Sequence, residues 1–407
     1  MKSSVIRTTS PFRSSAFATG LAITFLVFFS LGSLFPIVPR LVTGGLNGDA
    51  ADVGRISATF ALAAICCRPL LSFVMRQGVR RLALVGGTML VTGVSVMFHA
   101  RNLVVLAGCE VLIAFGETFL WTSVATFTTA SVPPNRQAEA IALGSGPIFV
   151  AYAIGPLATD RLAVNRHFSS ALLLPLISAL LALALALRIR KEWAQTAART
   201  RGRLTIREVF HPKALRPGIA YLFVTTGWSA WAAYIALRAD GLGMRGVGGL
   251  FVVYSVTSLS IRFFGAKVPE RIGLKRCAVA TTLSICFGLS IIGFSDSSRG
   301  LYVGAVFIAA GISLLFPTMS AISLNGLTDP TERGSLLSSI SMFFDVGMGL
   351  GGLVLGPFAR DRGIDVAFRI GAGIAFFALP FIARLKVSTL SSGAQLSSGT
   401  EPAPSGR

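Results

Sequence analysis

The sequence predicts an all-α integral membrane protein in which twelve transmembrane helices form two pseudo-symmetric six-helix bundles. First, 53% of the 407 residues are hydrophobic and only 13% are charged, against about 25% charged residues in a typical soluble domain. Second, long apolar runs recur along the chain. Third, a short basic turn occurs twice, 195 residues apart, which indicates two copies of one module.

Twelve apolar runs are separated by short polar segments, and most approach the ~20 residues that a helix needs to cross a bilayer. The first run follows a basic segment, as in a signal peptide, but it is too long for one and no small-residue cleavage site follows it. We therefore take it as the first helix. The runs cover residues 17–39, 53–75, 81–99, 103–128, 140–159, 168–188, 217–237, 246–268, 276–295, 300–325, 335–358 and 366–386.

Basic residues are distributed unequally between the two sides of the predicted membrane. With the N-terminus inside, 24 Lys and Arg residues fall on the inner side and 11 on the outer side. This excess is the positive-inside signal, and it predicts that both termini are cytoplasmic. We therefore expect the net charge of +20 to serve contacts of the basic loops with anionic lipids, and we expect no nucleic acid partner.

A basic polar segment separates the first six apolar runs from the last six. A tail rich in Ser, Gly and Pro follows the last run and is expected to be disordered. The predicted organisation is a cytoplasmic N-terminal segment at 1–16, an N-terminal six-helix bundle at 17–188, a cytoplasmic central loop at 189–216, a C-terminal six-helix bundle at 217–387 and a cytoplasmic tail at 388–407.

The doubled basic turn lies between the second and third runs of each half. The first copy reads RQGVRR and starts at Arg76, and the second reads RIGLKR and starts at Arg271. Arg68 and Arg262 lie at matching depths in the preceding runs, from which their long side chains can reach the inner face. The predicted gate or latch residues are Arg68, Arg76, Arg80, Arg81, Arg262, Glu270, Arg271, Lys275 and Arg276.

Acidic residues inside the apolar runs are candidate functional residues, because a charge inside a membrane is costly. Glu110, Glu117 and Trp121 are spaced seven and four residues apart, so they share one face of the fourth helix. This face is predicted to line a central cavity that holds a cation, a sugar hydroxyl or a proton, with Glu110 nearer the outer surface and in contact with water. A structural ion pair between Glu117 and a basic residue is the alternative.

Asp345 and Trp228 complete the predicted cavity. A buried Asp is costly unless it is paired or protonated, so we expect Asp345 either to couple protons or to form a salt bridge with an Arg near the inner side. Trp228 lies deeper than the membrane interfaces where lipid-facing aromatic residues gather, with ordinary packing as the alternative. The predicted cavity residues are Glu117, Asp345, Glu110, Trp121 and Trp228.

The basic turn carries a resemblance to a known family. The segment from Pro269 to Arg276 is similar to the loop between helices 2 and 3 of the major facilitator superfamily, and it keeps the acidic residue of that loop as Glu270. The first copy has Met75 at this position. We therefore expect the two halves to divide the work, with an acidic latch on the second half and the carboxylates of helix 4 on the first.

Other segments extend the resemblance over roughly residues 17–386. Gly144 to Pro156 resembles the antiporter motif on helix 5 of the family. Gly116 to Thr118 and Arg136 to Ala140 resemble a bacterial branch described as sugar- or drug-efflux-like. The resemblance implies alternating access by rocking of the two halves around a site between them.

We therefore expect a secondary active transporter that moves a small organic solute across a bacterial inner (plasma) membrane, with protons as the coupling ion and efflux as the direction. Uptake or facilitated diffusion of a sugar or organic acid, and a non-transporting membrane sensor, remain open. We also expect a monomer without enzymatic activity, cofactor or metal, because the sequence has no His cluster, no CxxC spacing and no ATP-binding GxxxxGK[ST] motif.

Overall fold

The computed structural model describes residues 14–75, 77–133, 136–189, 211–325, 327 and 330–385. Every regular element in these ranges is a helix. The segments of the first half are α1 (Ser15–Arg40), α2 (Ala50–Cys66), α3 (Arg68–Met75), α4 (Val79–Met97), α5 (Leu103–Ala130), α6 (Gln137–Val164) and α7 (Phe168–Leu187). We call the side on which α1 ends and α2 begins the outer side, following the predicted orientation, and the opposite side the inner side.

The second half repeats this order of segments. Its first helix begins at Leu215, two residues before the predicted start of the second bundle. The segments are α8 (Leu215–Gly241), α9 (Gly248–Phe264), α10 (Val268–Ile272), α11 (Leu274–Phe294), α12 (Ser298–Leu324), α13 (Pro330–Arg362), α14 (Ile364–Phe376) and α15 (Ala378–Ala383). The second run of each half is divided into two helices, α2 with α3 and α9 with α10.

The helices account for the predicted apolar runs. Among the described residues, nine helices are long and apolar enough to cross a membrane, and the bent pair α2 and α3 raises this number to ten. The other two runs hold α6, which has 28 residues, and α9, an apolar helix of 17 residues. The predicted all-α membrane fold is confirmed, although length and composition alone support nine or ten spans rather than twelve.

Helix packing repeats between the halves. In the first half α1 packs on α6 and α7, and α4 packs on α5 and α7. In the second half the equivalent helices do the same, because α8 packs on α13 and α14, and α11 packs on α12 and α14. The halves meet through two equivalent pairs, α2 with α13 and α9 with α6. Parallel repeats related by an axis along the membrane normal have this arrangement.

The glycine of each basic turn has the same backbone conformation. Gly78 precedes α4 with a φ of 111°, and Gly273 precedes α11 with a φ of 88°. Glycine adopts positive φ without the steric penalty that a Cβ brings. The repeat of the sequence is therefore also a repeat of the local structure.

The second residue after each of these glycines is basic and binds the end of the last helix in its own half. Arg80 Nη2 donates a hydrogen bond to the Leu187 carbonyl oxygen at the end of α7 (3.2 Å). In the second half, Lys275 Nζ donates to the Ala383 carbonyl oxygen at the end of α15. Basic side chains interact favourably with the free carbonyl groups at helix C-termini. Both turns thus fasten the last helix of a half to its third helix.

The outer part of the interface between α2 and α13 is a contact of backbone against backbone. A Cβ atom added at Gly54 would collide with the carbonyl oxygen of Gly352, and one added at Gly352 would collide with the carbonyl oxygen of Gly54. Small residues allow membrane helices to approach this closely. The two halves are therefore in direct contact on the outer side.

Several predicted features lie outside the described residues. They are most of the N-terminal segment 1–16, most of the central loop 189–216, the tail 388–407 and the latch residue Arg76. Their predicted roles stay predictions.

We expect Gly54→Ala to separate the halves on the outer side, because the new methyl group meets a backbone oxygen. Overpacking of this kind costs about 1–3 kcal/mol. Spin labels at the exposed outer positions Arg101 and Asp296 should show a longer distance by pulsed electron paramagnetic resonance, in a variant without native cysteines. Gly108→Ala is the control, because nothing lies within 4 Å of its added Cβ. Identical distances in both variants would contradict the assigned contact.

Candidate functional site

Arg68 and Asp345 form an ion pair between the two halves. Arg68 begins α3, directly after the bend at Cys67, and its Nη2 donates to Asp345 Oδ2 on α13 at 2.5 Å. Arg68 Nη1 also donates to the carbonyl oxygen of Ser338, two helical turns before Asp345 on α13, at 3.2 Å. Each partner of the ion pair keeps 22% of its side chain exposed. Of the two predicted alternatives for Asp345, the salt bridge to an inner Arg is therefore present, and Arg68 is the partner.

Glu117 lies close to this pair, in the middle of α5. Its carboxylate interacts electrostatically with Asp345 across the interface, and the Thr118 hydroxyl lies 3.4 Å from its Oε2. The side chain is half-buried. Among the described residues Glu117 has no basic partner within ion-pair distance, so the alternative of a structural salt bridge is not observed for it.

Glu110 does not have the predicted environment. It lies two turns closer to the outer end of α5 than Glu117, but its relative exposure is only 7%. The expectation that water reaches Glu110 is wrong in this structure, because α5 packs there against α2 and α4. Glu110 is therefore buried, whereas Glu117 is only half-buried.

Aromatic side chains connect the first half to the second beside these carboxylates. Phe28 on α1 meets both Trp121 and Tyr152 edge-on, with ring centroids 5.3 and 5.6 Å apart. Phe35 lies seven residues further along α1. Its ring stacks on that of Phe251 of α9, with ring centroids 5.5 Å apart and ring planes at 8° to each other. The predicted cavity residue Trp121 is therefore part of an aromatic row that crosses the interface.

Trp228 and Arg262 occupy the corresponding region of the second half. The ring of Trp228 on α8 lies 5.8 Å from that of Phe344 on α13, and its Nε1 is buried without a hydrogen bond. The Arg262 guanidinium lies over the ring of Phe149 on α6, 4.7 Å from its centroid. Trp228 thus packs against α13, its place in a cavity stays a prediction, and Arg262 crosses the interface between α9 and α6.

A second ionic contact between the halves lies on the outer side. Arg40 at the end of α1 binds Asp240 of α8 in a bidentate manner, with two distances of 2.7 Å. Arg40 Nη1 also donates to Asp160 Oδ1 on α6 at 2.9 Å. The other oxygen of Asp160 accepts a hydrogen bond from the backbone N–H of Gly248 at the start of α9 (2.7 Å). Arg40 and its partner Asp160 therefore connect four helices, two from each half. We call Arg40, Asp160 and Asp240 the outer network.

The outer network is more buried within the first half than at its contact with the second half. Arg40 and Asp160, which both belong to the first half, are 6% and 7% exposed, whereas Asp240, the partner of Arg40 in the second half, is 34% exposed. Arg68 and Asp345 on the inner side are each 22% exposed, so the two ion pairs between the halves are buried to a similar extent. These three residues are not among the predicted site residues, because each lies just beyond an apolar run and reads as loop charge. One feature of the sequence could have indicated them. One positive and two negative charges lie at the same depth, at the outer ends of the first, fifth and seventh helices.

The remaining predicted latch residues are at the inner surface. Arg80 and Lys275 each bind the end of a helix in their own half. These two hydrogen bonds therefore do not connect the halves. The others with a described position are exposed: Arg81, Glu270, Arg271 and Arg276. Their role as latches stays a prediction.

Metal-binding chemistry has no candidate in the described part of the chain. No group of three or more His, Cys, Asp or Glu side chains there is arranged to hold a metal ion. The interior instead combines carboxylates, arginines and aromatic rings along the interface of two bundles. This composition suits the binding of a small solute or a proton by residues of both halves.

Comparison with known proteins gives a family. Residues 20–268 and 218–404 match the Major Facilitator Superfamily. An uncharacterized MFS-type transporter of Burkholderia pseudomallei is 24% identical over 378 residues, which cover 89% of this chain and 91% of that relative. The uncharacterized MFS-type transporter YhhS of Salmonella enteritidis is 26% identical over 174 residues, and the match spans only 42% of either protein.

Solved structures share the fold. A mutant form of the nucleoside transporter NupG superposes with a TM-score of 0.76 at 12% identity, covering 91% of this chain and 100% of that chain. At this identity the likeness concerns the fold alone. The family match, by contrast, extends over most of the sequence. The helix packing also repeats between the two halves, and the chain belongs to the major facilitator superfamily and is a multi-pass membrane transporter.

Proposed function

We propose that this transporter exports a small organic solute in exchange for protons, with Glu117 and the Arg68–Asp345 pair as its coupling groups. The single observation that carries the coupling is the environment of Glu117. It is a carboxyl in the middle of a membrane helix, it has no basic partner among the described residues, and a second carboxyl lies within its electrostatic reach. Two neighbouring carboxylates in such a place favour the uptake of a proton by one of them.

The position of Asp345 explains how a proton would act on the conformation. Asp345 binds Arg68 across the interface only while its carboxylate is ionised, because the ion pair needs the negative charge. A proton that passes from Glu117 to Asp345 removes this charge and frees Arg68. The inner side then opens while the outer network keeps the outer side closed.

Two ionic contacts at opposite ends of the interface support alternating access. The outer network closes one end and the Arg68–Asp345 pair closes the other. A rocking motion of the halves breaks one contact and leaves the other intact, which is the behaviour expected around a fixed central site. Export, rather than uptake, is supported by the resemblance of Gly144 to Pro156 to an antiporter motif.

The setting of the protein belongs to the same proposal. The excess of basic residues on the inner side favours an orientation with both termini in the cytoplasm, and the resemblance favours a bacterial inner membrane. The exposed basic residues Arg81, Arg271 and Arg276 lie where they would meet the anionic lipids of the cytoplasmic leaflet. A monomer suffices, since both halves of the site are in one chain.

Glu117→Gln should abolish proton-driven transport, because the amide cannot bind or release the proton. A thermal-shift screen of small organic solutes on the purified protein supplies the substrate. Its transport in proteoliposomes with an imposed pH gradient should fall at least tenfold in the variant. The control is Glu139→Gln, at an exposed carboxylate paired with Arg136 at 2.8 Å, and it should leave transport unchanged. Undiminished wild-type transport after the proton gradient is collapsed would refute the coupling.

Asp345→Asn should favour opening of the inner side, because it removes a charge-assisted hydrogen bond of about 1.5–3 kcal/mol. Spin labels at Gln77 and Ile272, which hold equivalent exposed places in the two basic turns, report this opening as a longer distance. The double variant Arg68→Asp, Asp345→Arg restores the opposite charges and should return the distance towards that of the wild type. An unchanged distance in Asp345→Asn would show that the pair does not close the inner side.

Arg40→Ala should open the outer side, because it leaves Asp160 buried without its counter-ion, a loss of about 3–5 kcal/mol. Labels at Arg101 and Asp296 measure the opening. Asp240→Asn should have a smaller effect, since the Asp240 side chain is 34% exposed and water replaces part of the interaction. Arg55→Ala, at an arginine on the same side that pairs only with its helix neighbour Asp52, should leave the distance unchanged. An equal effect of Arg40→Ala and Arg55→Ala would contradict the assigned role of the outer network.

A further inference from the structure

The two arginines at equivalent depths, Arg68 and Arg262, have different partners. Arg68 is neutralised by Asp345. Among the described residues, Arg262 makes no ion pair and no hydrogen bond, and its Nε is buried. The side chain as a whole is half-buried. A positive charge in the interior of a membrane protein without a counter-ion is costly.

The internal repeat explains where the missing carboxylate would stand. The contact of Arg68 with Asp345 of α13 corresponds to the contact of Arg262 with Phe149 of α6. The two arginines occupy equivalent places in the second run of each half, and α13 and α6 are the helices that these runs meet across the interface. Phe149 and Asp345 are 196 residues apart, within one residue of the spacing of the basic turns. A phenyl ring therefore occupies the place that a carboxylate has in the other half.

A phenyl ring does not replace a carboxylate as the partner of an arginine. The guanidinium lies 4.7 Å from the ring centroid of Phe149, and such a cation–π contact is favourable but satisfies none of the N–H groups. The arginine donors, which suit planar and bidentate recognition of a carboxylate, remain available to a ligand.

The surroundings of Arg262 are aromatic rather than acidic. The phenol groups of Tyr221 and Tyr254 lie near its guanidinium. The Tyr221 ring lies 6.0 Å from Phe344, and Phe344 in turn contacts Trp228. These rings offer flat apolar surface beside the positive charge, a combination that suits an aromatic or other planar body.

Further polar atoms in this region have no partner in the described structure. They are the hydroxyl groups of Ser255 and Ser258, both buried without a hydrogen bond. Ser255, Ser258 and Arg262 are spaced three and four residues apart and so lie along one face of α9. Buried polar groups without partners are rare in folded proteins, so this face is suited to a ligand that supplies acceptors.

We propose that Arg262 is the anion-binding residue of the transport site and that the substrate is a monocarboxylate with a flat apolar body. The carboxylate binds the guanidinium, and the apolar body lies against Phe149, Tyr221 and Trp228. Glu117 on α5 and Asp345 on α13 are left to bind protons. This assignment rests on the proposed function, whose substrate class it names.

The test measures binding to the detergent-purified protein with no gradient, so it does not depend on coupling or direction. The probes are benzoate, 4-phenylbutyrate and indole-3-acetate, followed by quenching of tryptophan fluorescence and by the shift in unfolding temperature. Each carboxylate is compared with its amide, and with inorganic phosphate as an anion without an apolar body. We expect at least one of the carboxylates to bind at least tenfold more tightly than its amide and than phosphate.

Variants distinguish the assigned site from other binding. Arg262→Gln should weaken binding of that carboxylate at least tenfold and remove the preference over the amide, whereas Arg262→Lys should retain part of the preference. Trp228→Leu should weaken carboxylate and amide alike. Arg384→Gln, at an exposed arginine directly after α15, is the control and should bind as the wild type does.

Three outcomes would overturn the assignment. They are equal binding of carboxylate and amide, unchanged carboxylate affinity in Arg262→Gln, and absence of binding of all three carboxylates to the wild type. The proposed function survives each of them if another solute is still driven by a proton gradient in proteoliposomes. Conversely, carboxylate binding through Arg262 without gradient-driven transport would leave this assignment standing and refute the coupling.

Discussion

The Arg40 guanidinium joins the two halves of this transporter, and the geometry of its centre depends on that junction. One side chain from α1 binds Asp160 of α6 and Asp240 of α8, and Asp160 in turn binds the start of α9. Because four helices converge there, the outer ends of both bundles have fixed relative positions. The lower parts of the same helices carry Phe149, Trp228 and Arg262, so the outer junction determines how these groups face one another.

The internal repeat distinguishes features that both halves need for folding from features that the transporter has in one half only. Both halves keep a glycine of positive φ before the third helix and a basic residue that binds the end of the last helix. These features stabilise a bundle whatever it carries. The membrane charges follow the opposite rule, because Arg68 faces Asp345 while Arg262 faces Phe149. The fold is thus symmetric where packing requires it, and the membrane charges are asymmetric, as the proposed separation of a proton site from a substrate site requires.

Sequence reasoning reached the fold more fully than the site, for physical reasons. Apolar length and a doubled turn are properties of continuous segments, so the helices and their pairing could be predicted from them. The pairing of Asp345 with an inner arginine could be expected from the cost of an unpaired charge. The outer network could not, because Arg40, Asp160 and Asp240 are far apart in sequence and each stands next to a loop, where a charge needs no partner. The burial of Glu110 depends on the packing of α2 and α4 around α5, which no local pattern encodes.

The glycine contact between α2 and α13 has a consequence for the speed of opening. Interlocked side chains have to change rotamers before two helices can part, and each such change adds a barrier. Gly54 and Gly352 present only backbone to each other, so the helices can separate there as two smooth surfaces. The resistance to opening on the outer side is then concentrated in the ionic bonds of Arg40, which break and form as a unit. An interface held mainly by one group of ionic bonds opens in a single step between two conformations rather than gradually.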